Sequence, residues 1–322
     1  MTALNATAQQ LHPFPRQLVF ATNFSEACHA AIPLVAQWVD SLQAKLTLLH
    51  VHSAGAHLQA RRSLDSFFAE AAHYPNSERV LRSGKPAEAI AEYCRSQPNS
   101  LLVMPPSTRS SLPRPLHSSL RAKVLHDVVT PMLTLPHTDR IPEPPSTGGH
   151  VACWISGQET RLDHVREAAA LARRRGAELH LMHALPEVNE GILIDALYSD
   201  RPLSESVAGQ RLADIASQLG NDLPVRLHIG TGEPESVLRK LLKRTQSSIL
   251  VVDRAAVMRK RLLQASFNSK LTDSPCLLIC VPPRETEGRD PMLPAPQSSV
   301  FGARPLPARR LPGITQQSAR TH

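Results

Sequence analysis

Glycine is scarce in this chain. Its 322 residues include 14 glycines, about 4% where roughly 7% is usual. That scarcity counts against a function built on many glycine turns around a phosphate, where backbone amides must approach the anion closely. Aromatic residues make up 4% of the chain while apolar residues make up 42%, so its cores must be aliphatic. The five cysteines, Cys28, Cys94, Cys153, Cys276 and Cys280, are an odd number without close pairs. A disulfide scaffold is excluded, and reduced, buried thiols in a cytosolic protein are the expectation. Cys276 and Cys280 fall on one face of an apolar strand but about 13 Å apart, too far to clamp one metal. No apolar run approaches the roughly 18 residues of a membrane helix. The first residues lack a basic segment followed by an apolar one. The chain is therefore expected to be cytoplasmic, with no membrane partner.

Proline, by contrast, is abundant at 28 residues, about 9% against roughly 5%. Lysine and arginine total 36 against 28 acids, a formal charge of +8. Residues 284–322 carry six arginines and three acids, so the excess is thinly spread over the rest and nucleic acid is not an expected partner.

The chain repeats itself. Ala44–Val51 resembles Ala177–Ala184 at an offset of 133, and Gly84–Ile90 resembles Gly232–Leu238 at an offset of 148. Leu101–Met104 matches Ile249–Val252, also at 148, and Thr130-Pro131 matches Ser274-Pro275 at 144. Kept order with drifting offsets marks two homologous units with different loop lengths. Short continuous apolar strands alternate with amphipathic helical stretches in each unit, which predicts parallel sheets covered on both faces. The fold class is α/β, with two doubly wound parallel-sheet, Rossmann-like domains in tandem. The expected domains are 16–136 and 150–283, joined by a linker over 137–149 and followed by a disordered tail over 284–322. In the first unit, Ser25 is the expected N-cap of a helix reaching Leu42, with its hydroxyl taking an orphan amide. Pro33 lies inside that helix and should kink it or loosen a turn. A further helix is expected over Leu58–Ala72.

With its "ATNFS"-like turn after the first strand, then "LTLLHV", Gly-x-Pro-x-x-x-Ile and "LLVM", each unit resembles the universal stress protein family. The whole resembles the tandem-domain members. The resemblance implies an intramolecular pseudo-dimer of the two domains, joined through the last strands, here Met132–Leu135 and Cys276–Val281. It also implies a role in the stress response.

Many members of that family bind ATP, using an Asp after the first strand and a Gly-x2-Gly-x9-Gly-Ser/Thr frame after the fourth. In the first unit the Asp position holds Asn23, and Val51 ends the second strand, where the family contacts the nucleoside. The glycine frame falls on Pro105, Thr108, Ser118 and Ser119. All three glycines are gone, and Pro105 has no N–H to offer a phosphate. In the second unit Ser156 takes the Asp position, while Asp253 and Ala256 replace the first two glycines. The expectation is a degenerate nucleotide-binding site with ATP disfavoured as cofactor. Its remnant comprises Asn23, Val51, Thr108, Arg109, Ser118 and Ser119.

The alternative is a sensor of nucleotides or other phosphate ligands using altered basic loops. Arg109, Arg114, Arg121 and Lys123 lie in one acid-free stretch, and Arg254, Arg259, Lys260, Arg261 and Lys270 lie in another. The simpler reading of both is a solvated basic face.

Other candidates carry less. His50, His52, His57 and His73 tempt a metal reading but lack a second ligand pair. His183 repeats His50, which favours a role in the fold of both units. Gly230-Thr231-Gly232 reads as a structural turn. Asp163 and Glu167, followed by Arg173, Arg174 and Arg175, read as a solvated helix face with acids early and cations late. No nucleophile motif or carboxylate pair suggests catalysis, so a non-enzymatic protein is expected, with its protein partner unknown.

Overall fold

The computed structural model describes residues 14–53, 55–105, 120–135, 148–157, 161–187, 205–258 and 276–283. The first unit opens with strand β1 (Gln17–Ala21), helix α1 (Glu26–Leu42) and strand β2 (Lys45–His52). Helix α2 (His57–Ser66), a 3-10 turn (Ala69–His73) and β3 (Ser77–Ser83) follow. Then come α3 (Pro86–Arg95), β4 (Ser100–Met104), α4 (Leu120–Asp127) and β5 (Met132–Thr134). The second unit runs through β6 (His150–Ile155), α5 (Asp163–Arg175), β7 (Glu178–Leu185), α6 (Glu205–Ser217) and β8 (Val225–Thr231). It continues with α7 (Pro234–Thr245), β9 (Ile249–Asp253), α8 (Arg254–Met258) and β10 (Leu277–Val281).

The ten strands among the described residues form one sheet, in the order β3-β2-β1-β4-β5-β10-β9-β6-β7-β8. Each half is parallel, and the halves meet where β10 runs antiparallel to β5, with Ile279 opposite Leu133. Read from the junction outward, both halves have the same order, fifth, fourth, first, second and third strand. The junction is thus an intramolecular counterpart of a two-fold interface. Continuous apolar segments such as Ser100–Met104 and Leu277–Val281 are buried along their whole length. That is what a parallel strand covered on both faces requires. One core layer packs α1, α2, α5 and α6 on the sheet; the other packs α3, α4, α7 and α8.

Two expectations from the sequence need correction. Ser25 sits at the N-cap of α1 with extended backbone, but its side chain caps no amide. Its hydroxyl lies 3.5 Å from Cys28 Sγ, and Asn23 Oδ1 instead accepts the Ser25 N–H at 3.2 Å. Helix α1 contains Pro33 as expected, on the exposed face where water can reach the His29 carbonyl that proline leaves without a donor. The helix expected over Leu58–Ala72 breaks at Phe67 and Phe68, the latter in the left-handed region at φ +52°. The break inserts both rings into the core, Phe67 against Phe20 and Phe68 against Tyr74. Arg79 of β3 then caps the broken end, donating to the carbonyls of Leu64, Phe67 and Phe68 at 3.0, 3.3 and 3.1 Å.

Helix α5 is the third departure. Asp163 and Glu167 are buried, as are His164 and Arg175, because α5 lies against α1 at the junction of the units and across β9 and β10. Arg161 pairs with Asp163 at 2.9 Å. The arginine run is only partly solvated: Arg174 is exposed, but each of the three has a partner. Arg173 pairs with Asp222 at 2.6 Å, Arg174 donates to the Leu42 carbonyl of the first unit, and the Arg175 guanidinium lies 5.6 Å from the centre of the Trp38 ring.

Candidate functional site

In an open α/β sheet the ligand crevice lies at the carboxyl ends of the strands, where successive crossovers go to opposite faces. Helices α1 and α4 lie in different core layers, so the first unit has its crevice where β1 ends at Ala21 and β4 at Met104. The corresponding place in the second unit is where β6 ends at Ile155 and β9 at Asp253.

In the first crevice the chain leaves β1 through Thr22, Asn23, Phe24 and Ser25. Asn23 Oδ1 accepts from the Ser25 N–H and from Cys28 Sγ, each at 3.2 Å, and Thr22 Oγ1 accepts the Phe24 N–H at 3.1 Å. These bonds hold a tight turn in which Phe24 adopts φ +60°. Its ring lies 4.3 Å from the His50 ring and 5.6 Å from Phe67. His50 Nδ1 donates to the Thr22 carbonyl at 2.8 Å. Burial pushes the His50 pKa down, and this outweighs the hydrogen bond to Thr22, which raises it. The ring is therefore held neutral under the turn.

The second unit repeats the device. His183 Nδ1 donates to the Ile155 carbonyl at 2.7 Å, and Ile155 stands at Thr22 plus 133, the offset that relates His183 to His50. Gly157 occupies the Phe24 position with φ +85°, and a Cβ there would meet His183 Cε1 at 3.0 Å. The repeated histidine thus clips the end of the first strand in both units, a structural role. The Gly230-Thr231-Gly232 segment is also structural. A Cβ on Gly230 would meet Val237 Cγ1 at 2.6 Å, and Gly232 turns at φ +126°.

Asn23 and Val51 stand at the ends of the paired strands β1 and β2. Val51 is half-buried and packs on the α3 side of the sheet. Pro105, buried and without an N–H, follows β4 directly. Thr108, Arg109, Arg114, Ser118 and Ser119 lie outside the described residues, as do Arg259, Lys260, Arg261 and Lys270. Two of the cations expected on a solvated basic face are elsewhere. Arg121 is 8% exposed, and burial pushes its guanidinium down to about 10, with Cys280 of β10 nearby. Arg254 spans the two units, donating to the carbonyls of His126 and Val128 at 3.1 and 2.9 Å at the end of α4. A cation there complements the negative end of the helix dipole. The first glycine position offers a proline in one unit and the Asp253 carboxylate in the other, and the adjacent cation is turned away.

The four candidate histidines of the first unit, His50, His52, His57 and His73, do not gather into a metal-type cluster. His52 and His57 pair with each other at 3.4 Å, and exposed His73 bonds the Glu70 carbonyl. Among the described residues the group with that character is His150, Glu178 and His180 at the other end of the second unit. Sequence reading missed it. The readable signal was Glu-x-His beginning β7 beside Arg-x-His in β8, a period-2 pattern that puts all four side chains on one face.

The universal stress protein family matches residues 15–136 and 149–281, and the chain belongs to that family as a tandem member. No curated protein sequence matches it significantly. Among solved structures it is similar to a universal stress protein from Archaeoglobus fulgidus DSM 4304, at 15% identity and a TM-score of 0.60, covering 85% of this chain and 98% of that one. A putative universal stress protein from Pseudomonas aeruginosa UCBPP-PA14 is similar at 15% identity and a TM-score of 0.53, covering 84% and 94%. A functionally unknown protein from Pseudomonas aeruginosa PAO1 has the same identity and a TM-score of 0.54, covering 84% and 93%. At these identities the likeness establishes the fold.

Proposed function

We propose that this tandem universal stress protein acts in the stress response by protein interaction, without ATP turnover and without the ATP binding usual in its family. The observation that carries the reading is the replacement of the first glycine of the phosphate frame in both units. Pro105 removes an amide donor, Asp253 brings a negative charge to the same position, and Arg254 is committed to the carbonyls of α4. Phe24 supports it too, because its ring is already packed on His50 and Phe67 beside the end of β1. The junction of β5 with β10 leaves this architecture needing no second copy to pair its last strands.

Thermal-shift measurements with ATP, ADP, AMP and cyclic nucleotides test the reading. No saturable stabilisation is expected from any of them. A clear shift with ATP, lost in Ser119→Ala or Arg109→Ala, would establish the phosphate-sensor alternative instead. A shift given equally by any polyanion and abolished by salt would mark nonspecific attraction to basic loops.

A further inference from the structure

At the amino ends of its strands, opposite the crevice, the second unit carries a polar cluster on the face covered by α7. His150 begins β6, Glu178 and His180 begin β7, and Arg226 and His228 lie on β8 beside them, with His180 in register with Arg226. Nitrogen and oxygen ligand atoms of His150, Glu178 and His180 all lie within 4.8 Å of one another. We propose that these three side chains form a binding site for a divalent transition-metal ion of the zinc type.

The first unit shows what the same place looks like when protein alone satisfies it. The repeat offsets put Gln17, Lys45, Thr47 and Glu78 at the positions of His150, Glu178, His180 and Arg226. Gln17 donates to Thr47 at 3.0 Å, Thr47 donates to Glu78 at 2.8 Å, and Tyr93 donates to Glu78 at 2.9 Å. Lys45 pairs with the second Glu78 oxygen at 2.9 Å. That network is closed. In the second unit the ion pair survives with its charges exchanged, Arg226 Nε holding Glu178 Oε1 at 2.7 Å. The hydroxyls, however, are gone: His180 replaces Thr47 and Leu241 replaces Tyr93. His180 is 5% exposed, and its Nε2 is buried without a hydrogen-bond partner. It lies 3.3 Å from Glu178 Oε2.

That spacing also matches two ligands on one cation. Ligands 2.0–2.1 Å from a tetrahedral zinc are about 3.3 Å apart along a tetrahedron edge. The outer contacts also fit. His150 Nδ1 donates to the Thr245 carbonyl at 2.5 Å, which leaves Nε2 as its lone-pair nitrogen. Arg226 orients the carboxylate through the other oxygen. Metal-binding histidines and carboxylates are commonly fixed in this way by partners behind them. Two imidazoles and one carboxylate suit a borderline transition metal, whereas calcium and magnesium need more oxygen donors. His150 and Glu178 are half-buried at the rim and give the ion a way in.

The protons balance through His228. Without metal, Arg244 donates to His228 Nδ1 at 3.1 Å, so His228 Nε2–H donates to His180 Nδ1 at 2.8 Å and the His180 proton sits on Nε2. With metal on His180 Nε2, that ring carries its proton on Nδ1 and donates to His228 Nε2. The His228 proton then moves to Nδ1, and the exposed Arg244 side chain must swing away. Arg244 therefore opposes metal binding.

Titration of zinc alone into the chelator-treated full chain, by calorimetry and by competition with a chromophoric chelator, tests the proposal. One ion per chain is expected, with affinity at least tenfold weaker in His150→Gln and in Glu178→Gln and equal or tighter in Arg244→Gln. Cobalt should give the visible bands of nitrogen and oxygen coordination without a thiolate charge-transfer band. Circular dichroism of each metal-free variant separates loss of fold from loss of site, and the cobalt spectrum of the unmodified protein needs no variant at all. Absence of stoichiometric binding, undiminished binding in the His150→Gln, Glu178→Gln double variant, or a thiolate band would overturn it.

Discussion

Phe24 holds a conformation that Gly157 holds in the other unit, and the difference between them is measurable. A left-handed backbone costs a residue with a Cβ about 1–2 kcal/mol, which at Phe24 is offset by packing on His50 and Phe67. Phe24→Ala loses the ring and keeps the strain, whereas Phe24→Gly loses the ring and relieves it. The glycine variant should be the more stable of the two by roughly 1 kcal/mol in denaturant titration; equal stabilities would show that the turn carries no strain. His50 gives a pH dependence. Its native pKa lies below the ordinary 6.5, burial being the main cause, so the unfolded chain takes up the proton first as pH falls. Its contribution to stability is whole above about pH 6.5 and lost as pH falls towards the native value. His50→Asn, which keeps a donor for the Thr22 carbonyl but does not titrate, should flatten that part of the stability–pH curve. The thiols make a third test. All five are buried, and burial pushes Cys94 up to about 11 and raises Cys276 and Cys280 as well. Native protein should resist thiol reagents that modify all five after unfolding; fast modification in the native state would contradict the burial.

At the scale of elements, periodicity and turn chemistry made most strands and helices legible, including Pro86 at the start of α3. The misses share one cause: each depends on contacts from elsewhere in the chain. The periodicity of Leu58–Ala72 favours one helix, yet the core takes both Phe67 and Phe68, and Arg79 replaces the bonds that the break removes. The acids of α5 read as solvated because nothing local says that α1 and the junction strands will cover them. The repeat made the crevices legible, since replaced glycines can be counted. It hid the histidine cluster, since corresponding residues in the first unit are ordinary strand polars. Helix α4 carries the prediction at this scale. Arg254 donates to its last carbonyls from the other unit, so Arg254→Ala should cost about 1–2 kcal/mol, the range for charged hydrogen bonds at a helix end. Hydrogen exchange should show the loss concentrated at the end of α4; unchanged protection there would remove Arg254 from the junction.

For the whole molecule, the single sheet is the dominant fact. Strand β5 is three residues long and pairs with β4 on one side and β10 on the other. Leu133 at its centre is 1% exposed. Leu133→Ala should destabilise by about 2–4 kcal/mol, with both units melting in one transition; two separated transitions would mean that the halves fold independently of their junction. The same sheet carries two crevices with Pro105 and Asp253 in place of the first glycine of the phosphate frame, on which the proposed loss of ATP binding rests. Calorimetric titration of the full chain with ATP and magnesium tests that claim most directly. The account predicts no saturable heat at millimolar nucleotide. A saturating isotherm with one or two sites per chain would contradict it.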